Sequence, residues 1–210
     1  MQVTDAASGG LVHVIDRDSR RRAEVSRELL ALGVHAEIYE DAGEFLRMLP
    51  TRGAVLMVES DEGTLPEFMG RLRARQRYYP VSLYAEAPSP DRVVRAMREG
   101  AMDYLAWPFE PGLFQDTLRR LSEEGDRQRR IERARADARG RVEQLTGRER
   151  DVLVALLDGN SNKQIAALLD LSPRTVEIYR KNVMRKFDAK STSEAVRIGI
   201  YADLWEAPPG

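Results

Sequence analysis

Between Leu11 and Leu121 the chain alternates short apolar runs with longer stretches in which apolar positions recur at helical spacing. The apolar runs predict strands over Leu11–Ile15, Val34–Tyr39, Ala54–Val58, Val81–Ala85 and Tyr104–Ala106. The amphipathic stretches predict helices over Ser19–Leu32, Ala42–Leu49, Thr64–Arg77, Ser89–Glu99 and Pro111–Leu121. Strands and helices in strict alternation imply a doubly wound, five-stranded parallel sheet covered on both faces, with reactive groups or ligands gathered at the carboxyl ends of the strands. Those ends carry Asp16, Arg17, Asp18, Glu59, Ala85 and Trp107.

The pattern then changes. Residues 119–141 hold nine arginines against five acids and no aromatic residue. Glu and Arg at helical spacing, with Ala134, Ala136 and Ala138, predict a helical linker over residues 122–144, weakest at Gly125 and Gly140. Its apolar seam is broken, which favours a solvated helix over a coiled coil; contact of its arginines with a nucleic-acid backbone is a further option.

Residues 145–206 predict an all-α domain of four helices. Thr146 and Glu149 form a capping-box pattern ahead of the first, which buries Val152, Leu153, Leu156 and Leu157 and stops at Gly159. Ser161 or Asn162 caps a second helix to Leu169, with Ile165, Leu168 and Leu169 apolar. Ser172 and Pro173 open a third, to Phe187, each favouring that position for its own reason. At 100° per residue, Val176, Val183 and Phe187 share one side with Tyr179 at its margin, while Arg174, Glu177, Ile178, Lys181 and Arg185 share the other. One face packs and the other faces out. The second and third helices, joined by Asp170-Leu171-Ser172, have a helix-turn-helix layout. A last helix starts at Ser191–Ser193. Residues 1–10 and 207–210 are expected to be flexible ends.

Composition sets bounds. Of 210 residues, 42% are apolar and 32% charged, with no cysteine, so disulfides and cysteine-ligated metal are excluded. His13 and His35 fall in strands and read as structural, so no metal site and no cofactor are expected. No apolar run approaches a membrane span of ~20 residues, and the first ten residues lack an export signal; the expectation is a cytoplasmic protein away from membranes. Net charge is −1, which by itself says nothing for DNA. Its distribution does: residues 1–118 carry a net −5 and residues 172–190 a net +4.

Leu145-Thr146-Gly147-Arg148-Glu149-Arg150, Asn162-Lys163-Gln164-Ile165-Ala166 and Ser172-Pro173-Arg174-Thr175-Val176-Glu177 together resemble the DNA-binding domain of LuxR/NarL/FixJ-type transcription factors. Arg95 to Leu105, RAMREGAMDYL, followed by Pro108-Phe109, resembles the CheY-like receiver domain of two-component response regulators over about residues 11–121. The resemblance implies a phosphoacceptor aspartate at the end of the third strand, neighbouring acids that hold Mg2+, a Thr or Ser ending the fourth strand and a Lys before the proline that follows the fifth. This chain departs at each: Arg17 replaces the second acid of the pair, although Asp16 and Asp18 remain, Glu59 the phosphoacceptor, Ala85 the hydroxyl residue and Trp107 the lysine. Phosphorylation is therefore expected to fail, with Glu59 a fixed negative charge able to pair with Arg17. Such a receiver is either locked in one state or reduced to a structural domain. Asp61 and Glu62 read as a solvated turn, and Trp107 as a packing residue.

The third helix of the C-terminal domain is expected in the major groove of double-stranded DNA. Lys181 can donate to guanine, Glu177 can accept from cytosine and Ile178 can meet a thymine methyl. Lys163, Arg174, Thr175, Arg180 and Arg185 are placed for phosphates. The last helix resembles the family's dimerisation helix, so a homodimer on a palindromic site is expected, with RNA polymerase as a further partner and no dependence on a sensor kinase. The alternatives are a conventional phosphorylation-dependent regulator and an interaction module that recruits or sequesters a partner protein. No nucleophile–base pair points to an enzyme.

Overall fold

The computed structural model describes residues 10–59 and 64–205. The expectations for residues 1–9, for Asp61 and Glu62 and for the tail after 206 lie outside the described residues. Two compact units divide between residues 128 and 129. In the first, strands β1 (Leu11–Ile15), β2 (His35–Tyr39), β3 (Ala54–Val58), β4 (Val81–Ala85) and β5 (Asp103–Ala106) form one parallel sheet in the order β2-β1-β3-β4-β5. Helices α1 (Ser19–Ala31), α2 (Ala42–Met48), α3 (Thr64–Ala74) and α4 (Pro90–Glu99) connect them, and α5 (Pro111–Glu143) follows.

Alternation along β1 sorts the core. Val12 and Val14 pack with Val25, Leu29, Leu56, Phe109 and Phe114 on the side of α1 and α5. Ile15 points the other way, toward Phe45, Met57, Phe68 and Leu83 on the side of α2 to α4. His13 shares that second face and is fully buried. It has partners that the sequence did not suggest: Nε2 lies 2.7 Å from the Arg52 carbonyl and Nδ1 3.2 Å from Glu37. Burial holds its basicity below the ordinary histidine value, against the opposing pull of that carbonyl and of Glu37. Gly53 must remain a glycine here. Its φ is +116°, and a Cβ would stand 2.4 Å from the His13 ring.

Local geometry sets where α3 stops, and the expected continuation of α5 into the linker is present. Helix α3 ends three residues early because Gln76 turns left-handed, at φ +52°, and Arg77 N–H closes back on the Leu72 carbonyl. Helix α5 passes through both Gly125 and Gly140 without a break. Near the first of these, Glu124 accepts from Arg127, Gln128 and Tyr78.

The second unit contains the C-terminal part of α5 with α6 (Gly147–Leu157), α7 (Asn162–Leu169), α8 (Pro173–Phe187) and α9 (Thr192–Tyr201). Both α6 and α7 begin with complete capping boxes, Thr146 with Glu149 and Ser161 with Gln164. Val183 and Phe187 are fully buried among Ala138, Val142, Leu153, Ala195 and Ile198. Val176 packs with Val152, Ala155 and Ile165. Of the apolar residues of α7, Ile165 is fully buried and Leu168 is 65% exposed.

Candidate functional site

In the first unit the strand ends bring two carboxylates together, each already matched by a cation and a tyrosine. Asp16, buried at the end of β1, accepts from Arg21 through Nε at 2.5 Å and Nη2 at 2.9 Å. Its Oδ2 also accepts from the Tyr84 hydroxyl at 2.6 Å, and its Oδ1 from the Asp18 N–H at 2.9 Å. The Asp16 hydrogen bond raises the basicity of Arg21, while burial and then the same carboxylate push the Tyr84 hydroxyl well above the ordinary phenol value. Asp18 is used locally, as the N-cap of α1, and the Arg21 and Arg20 amides that it accepts hold its carboxyl below its ordinary value.

Glu59, at the end of β3, has a side chain only 7% exposed. Its Oε2 stands 2.6 Å from Arg92 Nε and also accepts from the Tyr104 hydroxyl, and its Oε1 stands 3.8 Å from Arg95. The expected pairing with Arg17 is therefore corrected. Arg17 is exposed, and the first turn of α4 supplies the cation instead. The reason is topological: in a parallel sheet the helix after β4 starts at the same edge where β3 ends, so its first residues reach the site. Trp107 is half-buried and packs edge-on to Phe109, with centroids 4.8 Å apart, before a cis peptide to Pro108. Ala85, at the end of β4, adds no side-chain hydrogen-bonding group; the Ala85 carbonyl accepts from Trp107 N–H.

Four residues at this site escaped the sequence reading: Arg21, Tyr84, Arg92 and Tyr104. Their signal was positional. Arg21 and Arg92 lie in the first turn of helices that follow β1 and β4, and Tyr84 directly precedes a strand end already singled out.

In the second unit α8 presents Arg174, Glu177, Ile178, Lys181 and Arg185 to solvent, with Ile178 55% exposed. Lys163 on α7 is exposed as well. Thr175 is half-buried and its hydroxyl shares a hydrogen bond with Ser172 at 2.8 Å. Arg180 is engaged inside the unit: its guanidinium donates to the Asn162 side chain and, at 3.0 Å, to Thr192 Oγ1. Behind the exposed face, Lys186 reaches the buried Glu149 at 2.6 Å. Burial would raise the Glu149 carboxyl, but hydrogen bonds from Lys186 and Thr146 outweigh it and hold the group below its ordinary value.

A doubly wound sheet with acids gathered at its carboxyl edge, in one chain with a capped helix-turn-helix, defines a response regulator of the two-component class. Residues 143–198 match the family of bacterial regulatory proteins described as the luxR family. The chain is 33% identical over 200 residues to the transcriptional regulatory protein FixJ of Bradyrhizobium diazoefficiens, covering 93% of this chain and 97% of that protein. It is 35% identical over 196 residues to FixJ of Azorhizobium caulinodans, covering 92% and 93%. Among solved structures, full-length FixJ from B. japonicum matches with 32% identity and a TM-score of 0.54, over 95% of this chain and all of that one. The response regulator StyR matches with 26% identity and a TM-score of 0.68, over 91% and 98%. The chain belongs to the NarL/FixJ family of response regulators and is a transcriptional regulator with a LuxR-type DNA-binding domain. Among the described residues no helix is long and apolar enough to cross a membrane.

Proposed function

We propose that this regulator reads specific DNA through α8 and that its receiver accepts no phosphoryl group. Lys181, Glu177 and Ile178 read base edges, by donation to guanine, acceptance from cytosine N4 and contact with a thymine methyl. Lys163, Arg174, Thr175 and Arg185 fix register on phosphates. Arg180, bound to Asn162 and Thr192, positions α7 and α9 around α8 and reaches phosphate only by giving up those bonds.

The observation that carries the receiver half is the pairing of Glu59 with Arg92 and Tyr104. A phosphoacceptor must present a free carboxylate oxygen to an incoming phosphorus, in line with the leaving group. Here the carboxylate is one methylene longer than aspartate, its Oε2 is held by Arg92 and the Tyr104 hydroxyl, and its Oε1 faces the Arg95 guanidinium at 3.8 Å. A fixed negative charge thus takes the part of the phosphoryl group, tying the end of β3 to α4 and β5 without a kinase. The receiver then acts by setting dimerisation or partner binding, and the chain works as a cytoplasmic homodimer on a palindromic site, with RNA polymerase as its further partner.

DNA selection from a random pool, with purified untreated protein and sedimentation at the same concentration and salt, tests this reading. A palindromic site bound by a dimer is the expected result. Sequence-blind binding by a monomer would instead favour a receiver that needs a partner protein, which is the interaction-module alternative.

A further inference from the structure

The receiver class implies a divalent cation at the acid pocket, and the residues present do not fit one. Mg2+ demands near-octahedral oxygen ligands at about 2.0–2.1 Å. Of the three positions after β1, Arg17 offers no oxygen from its side chain, and Asp18 Oδ1 is turned back onto the Arg20 and Arg21 amides. Asp16 has both oxygens occupied, by Nε and Nη2 of Arg21 and by the Tyr84 hydroxyl. The oxygens of Glu59 face Arg92, Arg95 and Tyr104. The remaining terminal nitrogen of Arg21, Nη1, donates at 2.8 Å to Glu86, in the segment between β4 and α4.

We propose that Arg21 is a built-in cation that replaces the divalent ion of this pocket and holds the segment after β4 to the end of β1. The guanidinium suits the task. Its planar fork takes both oxygens of one carboxylate, its charge persists at any working pH, and it is more weakly hydrated than an ammonium. Its third nitrogen reaches a second acid, as a bridging metal would. Arg21 is only 20% exposed. A metal ion entering the pocket must therefore displace a partly buried cation from the buried Asp16 carboxylate, an unfavourable exchange. Because Glu86 lies between β4 and α4, the guanidinium joins that segment to the β1 end through side chains of the chain itself. Arg22, which donates to the Asp16 carbonyl, adds a second tie from α1 to the same residue.

The inference rests on reading the first unit as a receiver pocket, and metal binding is measured apart from phosphoryl transfer so that each can fail alone. The experiment is a titration of the full chain with Mn2+, in which free ion is counted by its paramagnetic resonance, with melting temperature recorded with and without Mg2+. The wild-type protein should leave Mn2+ free and show no shift in melting temperature. Arg21→Ala, which frees Asp16 and Glu86, should bind Mn2+ at least about tenfold tighter, a change of ~1.4 kcal/mol, and should gain melting temperature on adding Mg2+. Asp16→Asn added to that variant should abolish both gains. Should Arg21→Ala fail to fold, Arg21→Gln keeps much of the side chain's bulk without the charge and serves in its place. Wild-type protein that binds Mn2+ as tightly as the variant would overturn the proposal, and so would a folded variant that binds none.

Discussion

Two clusters of cations do opposite work in this molecule. In the receiver, Arg21 and Arg92 turn inward onto Asp16 and Glu59, so that each positive charge is answered within the unit. On α8, Arg174, Lys181 and Arg185 stand exposed, while Lys186 of the same helix turns inward onto the buried Glu149. The residue types are the same; the supply of facing carboxylates differs. A cation whose partner sits on a neighbouring strand end becomes part of the fold, and one that faces water remains available to a polyanion. The negative balance of residues 1–118 and the positive balance of residues 172–190 are the sequence-level trace of that division.

The contrast can be broken most strongly at Asp16. Asp16→Ala leaves the Arg21 guanidinium and the Tyr84 hydroxyl without their shared acceptor, and the receiver should lose about 3 kcal/mol. Chemical denaturation of the full chain should place that loss in the transition of the first unit and leave the second unchanged. Equal loss from both transitions would mean that the pair is not local to the receiver.

On α8 the expected effects fall on binding rather than stability. Lys181→Ala should cost ~1–3 kcal/mol at one base position and relax preference there, whereas Arg174→Ala should weaken all sequences alike and reduce the salt slope by about 1. Competition binding against single-base variants of the selected site separates the two. Unchanged preference in Lys181→Ala would remove it from the base-reading set.

The smallest effect is a pH dependence. The Glu149 carboxyl is held low in the folded state, so the stability it contributes is fully present above its unfolded value, about 4.3, and is lost as pH falls through the lower folded value. Lys186→Met removes the main group holding it low. Acid unfolding of the second unit, followed by helix content, should then begin at higher pH than in the wild type.

How much of this could be read from the sequence depended on the range of each interaction. The alternation of strands and helices, the caps Thr146, Ser161 and Ser172 and the split of α8 into Val176, Val183 and Phe187 against Arg174, Glu177 and Lys181 are local patterns, and the fold follows them. The Glu59–Arg17 pairing failed because it was argued from proximity to one strand end, whereas the partner came from the first turn of α4, 33 residues along the chain. Arg21 went unseen for a related reason. It stands in a run of three arginines at a helix start, and only the depth of Asp16 beside it turns Arg21 onto that carboxylate. Leu168 shows the converse: apolar by type, it is exposed on α7 while Ile165 and Ala166 of the same helix are buried.

On the function proposed above, the receiver's charges are set by its own side chains and not by phosphoryl transfer. The most direct test is the affinity of the full chain for its selected DNA site, measured at fixed salt with and without Mg2+ and acetyl phosphate, with the intact mass of the protein recorded in parallel. The same affinity and the same mass are expected under both conditions. A gain in mass of one phosphoryl group together with tighter binding would contradict it, and would return Glu59 or a neighbouring acid to the role of phosphoacceptor.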